Sequence, residues 1–365
     1  TPMPHRPATL QDVADRAGVH RSTVSLALRN CARISPAVRE RIHRIASELG
    51  YRSNPLVTAL MRSRRTQLVA KHVTLAYVTD YPTRYGWRPP HHDRPDYFPA
   101  AVARAEELGY KLEHFWLGEP GMTPERFAQI LINRNISGLL IGRLPFGKSE
   151  ILLPWEHFSA VALGLTLTKP DLHRVAEDAF ASATEAMNQC LAKGYHRIGY
   201  VIPEPNDSPN MADRWLGAYW RQQMSLPPEG RIPVCEYRPP AEFTAHFLTW
   251  YKKHRPDVIL TYRAEPITDI LAASGRKLPH DAKLVLLVND KPGRGFGGMY
   301  LDPGSVGALA VDMVVGMMHR GEIGLPAEPH HVLVPAKWVE AGATTTAATA
   351  AAPSSHQAQP PDAIG

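Results

Sequence analysis

Five side chains in one short run could do recognition chemistry together. In HRSTVSLALRN, residues 20–30, Arg21 and Arg29 carry guanidinium groups, and Ser22, Thr23 and Ser25 carry hydroxyls. A guanidinium can bind a phosphate, or the acceptor edge of a guanine, through two parallel hydrogen bonds. A hydroxyl can bond a phosphate oxygen or cap a helix. Whether these groups act together depends on whether the chain holds them on one helix face.

The flanking sequence supplies the elements that would hold them. Thr9, with Asp12 three places on, has the pattern of a capping box and opens the segment LQDVADRA; Gly18 is a stop signal. A second helix is expected over roughly Arg21 to Arg29. Val13, Ala14 and Ala17 would then pack on Val24, Ala27 and Leu28, which turns Arg21, Ser22, Ser25, Leu26 and Arg29 away from the contact. A third helix has Ser35 as N-cap, Pro36 in first position and Gly50 as stop, with Val38, Ile42, Ile45, Ala46 and Leu49 on one face. A fourth, short helix is predicted over Asn54–Met61, and RSRRTQ reads as a linker. Two helices joined by a tight turn, with a basic outer face, suit a helix-turn-helix whose second helix enters the DNA major groove. The same spacing also suits a basic, solvated helix pair in a bundle.

The charge is unevenly spread. The net charge is +6, yet residues 1–65 hold twelve Arg, no Lys and four acids, or +8, which leaves −2 for the rest. A polyanionic partner is therefore expected for the N-terminal part alone. The 365 residues suit two or three domains. Three cysteines, Cys31, Cys190 and Cys235, share no CxxC spacing, which argues against a disulfide framework and a cysteine-based metal site. The sequence shows neither an apolar run long enough to span a membrane nor an apolar signal region at its start, so a cytoplasmic location is expected.

From about residue 70 the pattern changes to apolar strands alternating with amphipathic helices. HVTLAYV, YKLEHFWL, SGLLIG, FSAVALGL, HRIGYVI, PDVILTY and KLVLLVND are strand candidates. Helices are predicted at Pro99–Leu108, Pro124–Asn133, Phe180–Lys193, Asp213–Met224 and Ser305–Arg320. Such alternation implies parallel sheets with right-handed crossovers, long enough here for two sheets, with a ligand at the C-terminal strand ends. Residues 341–365 show no apolar periodicity and are expected to be disordered.

The run ATLQDVADRAGVHRSTVSLALRN, followed by ISPAVRERIHRIASELGYRSNPLVTALM, closely resembles the DNA-binding headpiece and hinge of the lactose-repressor (LacI/GalR) family. The later segments RNISGLLIG, HRVAEDAFASATEAMNQCLAKGYHRIGYV, ADRWLGAY, PDVILTY and KLVLLVND resemble, in order, that family's two-lobed effector domain. The resemblance implies an all-α helix-turn-helix headpiece at 8–53, a hinge helix and linker at 54–66, and an α/β, two-lobed, periplasmic-binding-protein-like domain at 67–340. It implies a repressor that binds a palindromic operator in double-stranded DNA as a homodimer, with a small-molecule effector, by family default a sugar, and no cofactor.

Residue roles follow from the same resemblance. Arg21 and Ser22 match base-reading positions, Thr23 and Ser25 match phosphate or capping positions, and Thr9 falls within the DNA-contacting frame. Leu26 stands where the family usually has an arginine, which points to a different operator. Arg29 stands where the family often has Asn and is a candidate phosphate contact. Asn54 opens the hinge helix, with Leu60 matching the leucine that wedges between base pairs and Val57 its small neighbour. In the body, Asp178 and Arg214 match ligand-binding positions, and Asn289 stands where an Asp is typical. The effector set is completed by Arg143, Arg263 and Trp87. With Arg84 and Arg88 as further wall candidates, an acidic ligand is conceivable, and Trp87 and Tyr97 could stack on a sugar. Each has a plainer alternative: Asp178 as a helix cap, Arg214 as a surface charge, Trp87 and Tyr97 as loop packing. The implied chain crosses between lobes three times, near residues 191, 302 and 328.

An α/β enzyme or a solute-binding protein with a basic appendage is the competing class. No GxSxG, Walker loop or HExxH is present. GRGFGG fits GxGxxG formally, yet MYLDP rather than a helix follows, so a flexible loop is expected. The His91–His92–Asp93 and His330–His331 clusters lack further metal-site spacing.

Overall fold

The computed structural model describes residues 9–28, 34–49, 73–89, 95–202, 209–276, 283–289 and 295–342. The predicted fourth helix and linker, Arg29 and residues 343–365 of the C-terminal tail lie outside the described residues. So do Asn54, Val57 and Leu60.

Helices α1 (Leu10–Ala17), α2 (Arg21–Ala27) and α3 (Pro36–Glu48) form a small bundle. Val13, Ala14, Ala17, Val24, Ala27, Ile42, Ile45 and Ala46 make its core. The α1–α2 turn needs Gly18, whose φ is 61°, a left-handed value that costs glycine least. Arg41 donates from Nη2 to the Ala17 carbonyl at 2.9 Å, so α3 caps the C-terminal end of α1. Ser35 precedes α3 as expected but makes no side-chain capping bond.

The body holds two sheets. The first lobe contains β1 (Val73–Thr79), α4 (Phe98–Glu107), β2 (Tyr110–Trp116), α5 (Pro124–Asn133), β3 (Gly138–Ile141), β4 (Ser159–Leu163) and β5 (His173–Glu177). The second contains α6 (Ala179–Ala192), β6 (Ile198–Tyr200), α7 (Pro209–Gln223), α8 (Pro240–His254), β7 (Val258–Thr261), α9 (Ile267–Ala273), β8 (Leu284–Leu286) and β9 (Gly297–Tyr300). The chain then returns to the first lobe with α10 (Pro303–Arg320) and β10 (His331–Val334), and ends in the second with β11 (Lys337–Val339). The sheet orders are β10-β5-β4-β3-β1-β2 and β11-β9-β8-β7-β6. Every pairing is parallel except β11 on β9, which is antiparallel.

Both faces of each sheet are covered, which explains why the strands read as continuous apolar runs. On β1, Leu75 and Tyr77 face one core, Ala76 and Val78 the other. In the second lobe, Leu260 and Ile259 divide in the same way.

Three crossings between lobes occur, but two lie elsewhere than expected. The first falls at Asp178, where β5 ends and α6 joins the second lobe. The third falls at residues 335–336, between β10 and β11. Only the crossing near residue 302 is where it was expected. The placement at 191 assumed that α6 belongs to the first lobe, whereas it packs on α7, β9 and β11. The GRGFGG tract is not wholly a loop: Gly297 and Gly298 begin β9. Helices α8 and α9 and strands β5, β10 and β11 were not predicted. Phe247, Trp250 and Tyr251 give α8 a buried face, but prolines and aromatics obscure it as a helical sequence.

Candidate functional site

The first site is built around α2. Thr9 caps α1 reciprocally: its N–H donates to Asp12 Oδ2 at 2.6 Å, and the Asp12 N–H donates to Thr9 Oγ1 at 3.3 Å. This orients α1 and, through the Gly18 turn, the start of α2. There His20 is the cap, with Nδ1 accepting the Ser22 N–H at 3.2 Å and lying 2.8 Å from Ser22 Oγ. The sequence reading missed His20 because histidine is not a favoured cap. Val24 and Ala27 are buried against α1 and α3, while Arg21 and Ser22 are exposed and Thr23, Ser25 and Leu26 half-buried. The rigid face faces inward and the donors outward, as a groove-reading helix requires.

The second site is a narrow cleft between the lobes, lined from both. Arg143 follows β3, Glu177 ends β5, Tyr262 follows β7 and Val288 follows β8. All four lie at C-terminal strand ends, where an open α/β sheet places ligands. Asn210 of α7 donates to the Leu165 carbonyl across the lobes at 2.7 Å. A more open groove on the outer face of the first lobe, beside α5, lies away from those strand ends.

Glu177 is the notable cavity residue. It is 6% exposed, and its Oε1 is buried without a hydrogen-bond partner. Burial raises its carboxyl to about 7, against the opposing effects of Ser182 and the Arg143 charge. The Arg143 guanidinium lies 4.8 Å from the Tyr97 ring centroid and donates from Nη2 to the Pro95 carbonyl at 2.6 Å.

The sequence-selected effector residues divide sharply. Arg143 and Tyr97 line the cavity. Asp178, the neighbour of Glu177, instead caps α6 through a 2.9 Å bond from the Ala181 N–H. Asn289 is 3% exposed and fastens the β8–β9 connection, donating from Nδ2 to the Phe296 carbonyl at 3.1 Å. Arg214 and Arg263 are exposed and do not line the cavity. Trp87 packs the loop down, 5.0 Å from the Tyr77 ring, and reaches only a smaller adjoining space beside Arg143. Arg88 pairs with Asp96 at 2.9 Å. Of the four arginines expected to form an acid-binding wall, Arg143 alone lines the cavity. Glu177, Asn210 and Tyr262 were missed, and nothing in their local sequence marks them.

Among the described residues no three His, Cys, Asp or Glu side chains are placed to hold a metal ion, and no helix is long and apolar enough to cross a membrane.

Residues 9–54 match the family described as bacterial regulatory proteins, lacI family. The chain is 29% identical to the HTH-type transcriptional repressor CytR of Escherichia coli K12 over 55% of each chain, so it spans about half the length of that relative. By structure it is similar to a transcriptional regulator CelR–cellobiose complex, with a TM-score of 0.54 and 18% identity over 92% of this chain and 99% of that one. It is also similar to a lac repressor dimer bound to operator and the anti-inducer ONPF, with a TM-score of 0.51 and 18% identity over 92% of this chain and 99% of that one. At such identity these two likenesses speak to the fold.

Proposed function

We propose that this chain, whose residues 9–54 match the lacI family of bacterial regulatory proteins, is a cytoplasmic, sequence-specific transcriptional repressor. It binds a palindromic operator as a homodimer, and a sugar or sugar derivative between its lobes controls it. The observation that carries the reading is the α2 face, where Arg21 and Ser22 project from a helix anchored by Val24 and Ala27. The operator-bound repressor and the cellobiose-bound regulator of the same fold support the two halves of the proposal.

The coupling is thermodynamic. Three strands of chain join the lobes, so a ligand that prefers one lobe arrangement shifts the population toward it. A change in lobe geometry then alters the spacing of the paired headpieces and so their affinity for DNA. The reading is tested by selecting randomised DNA duplexes on the purified full chain at moderate salt, with and without cellobiose. Enrichment of one palindrome is expected. A pool without an enriched sequence in either condition overturns it.

A further inference from the structure

We propose that Glu177 selects the cavity's ligand: the site takes a small neutral or amino-bearing polyol that donates a hydrogen bond to Oε1, and refuses a molecule that turns a carboxylate there. This rests on reading the interlobe cavity as the ligand site.

The geometry points to a missing donor. Glu177 lines the cavity, and its Oε1 is buried and unpartnered. A buried acceptor without a partner is costly to keep, and a bound ligand that supplies the donor removes that cost. The groups facing it are few. Arg143 comes from the end of β3, and Asp178 is the next residue of its own chain. Tyr97 and Tyr262 also line the cavity. Above about pH 7 Arg143 balances one carboxylate, and Glu177 supplies it. A ligand acid would bring a second negative charge into a desolvated space with no second cation. A hydroxyl both accepts from Arg143 and donates to Glu177, and an ammonium donates to Glu177.

The same geometry makes binding proton-linked. With its carboxyl raised to about 7 by burial, Glu177 is largely protonated near pH 6. A ligand donor favours the carboxylate, so binding releases a proton and tightens as pH rises. If only the carboxylate form binds, a neutral ligand gains about tenfold in affinity from pH 6 to pH 8.

The test is calorimetric titration and thermal shift on the full chain with cellobiose, glucose, ribose and glucosamine against glucuronate and gluconate, at pH 6 and 8. At pH 8, where Glu177 is ionised, neutral or amino sugars are expected to bind and the acids not to bind. Glu177→Gln should keep an acceptor, lose the pH dependence and admit an acid; Glu177→Leu should weaken the bound sugar about tenfold or more. Val288→Trp or, as a second blocking variant, Met211→Trp should remove binding. Binding lost in the blocking variants but unchanged, pH slope included, in both Glu177 variants overturns the role of Glu177 and leaves the cavity standing. So does tighter binding of the acids than of the neutral sugars by the wild type at pH 8. Binding unchanged in the blocking variants overturns the cavity reading, and a panel with no binding overturns both.

Discussion

The recognition helix and the interlobe cavity solve opposite problems. The headpiece side chains fall within a short stretch and are organised by bonds spanning two or three residues, from Thr9 to Asp12 and from His20 to Ser22. Their donors point into water, ready to exchange solvent for an external partner. The cavity is assembled from groups far apart in the chain, Arg143, Glu177, Asn210 and Tyr262. Its key acceptor is already out of water, and burial has moved its titration. A site that borrows its surroundings from solvent is set by local sequence. One that makes its own surroundings depends on the whole fold.

The comparison breaks first, and with the largest effect, at Gly298. Its φ is 154°, and a Cβ there would lie 2.1 Å from the Leu286 carbonyl oxygen. Gly298 pairs with Leu286 where β9 lies against β8, the strand that leads into Val288 on the cavity wall. Gly298→Ala should destabilise the second lobe by about 3 kcal/mol or more. In a urea titration the body transition should move to lower denaturant while isolated-headpiece signals stay put. A coincident shift of both would show that the two regions are not independent.

Glu177→Gln separates the regions by pH. The folded carboxyl titrates at about 7 against an ordinary 4.5. Burial therefore disfavours the charged form, and the penalty is absent below 4.5, grows between 4.5 and 7, and is constant above. The variant should be more stable than the parent at pH 8, by at most about 3 kcal/mol, with the gain vanishing near pH 4. Equal gains at both pH values would mean that packing, rather than ionisation, is responsible.

This contrast also explains what the sequence shows and what it hides. The capping box, the Gly18 turn and the apolar set of α1–α3 are local signals, and all appear in the structure. The parallel sheets follow from alternating apolar runs. The crossings at Asp178 and at residues 335–336 do not, because lobe membership depends on which sheet a helix covers. Asp178 and Glu177 show the same limit at one site. Glu177 ends a strand buried from Arg174 onward and Asp178 follows it, so no alternation tells which faces the cavity, and the one that matched the family pattern is the helix cap. Arg214 and Asn289 are likewise absent from the cavity lining: residue type suits a ligand, but placement is a long-range property.

On the headpiece the effects should be smaller and specific to DNA. Arg21 is exposed and packs into no core, so Arg21→Ala should leave the folding transition unchanged. It should weaken binding to a selected operator by about 1–3 kcal/mol and relax preference at one base position. A uniform loss across all sequences, with a shallower salt dependence, would reassign Arg21 to a phosphate.

The smallest effect tests whether a headpiece residue acts by shape or by contact. Thr9 lies in the DNA-contacting frame of the resemblance, yet its hydroxyl donates to Asp12 Oδ2 at 2.7 Å and accepts the Asp12 N–H. Thr9→Ala removes the cap and should cost the headpiece about 1 kcal/mol. Thr9→Ser keeps the hydroxyl and should restore both stability and DNA affinity. If Thr9 works through the cap alone, the alanine variant loses DNA affinity only as far as its headpiece unfolds, and the loss disappears on cooling to where the headpiece is fully folded. If affinity stays low there, the hydroxyl contacts DNA directly, and the exposed face extends from α2 to the start of α1.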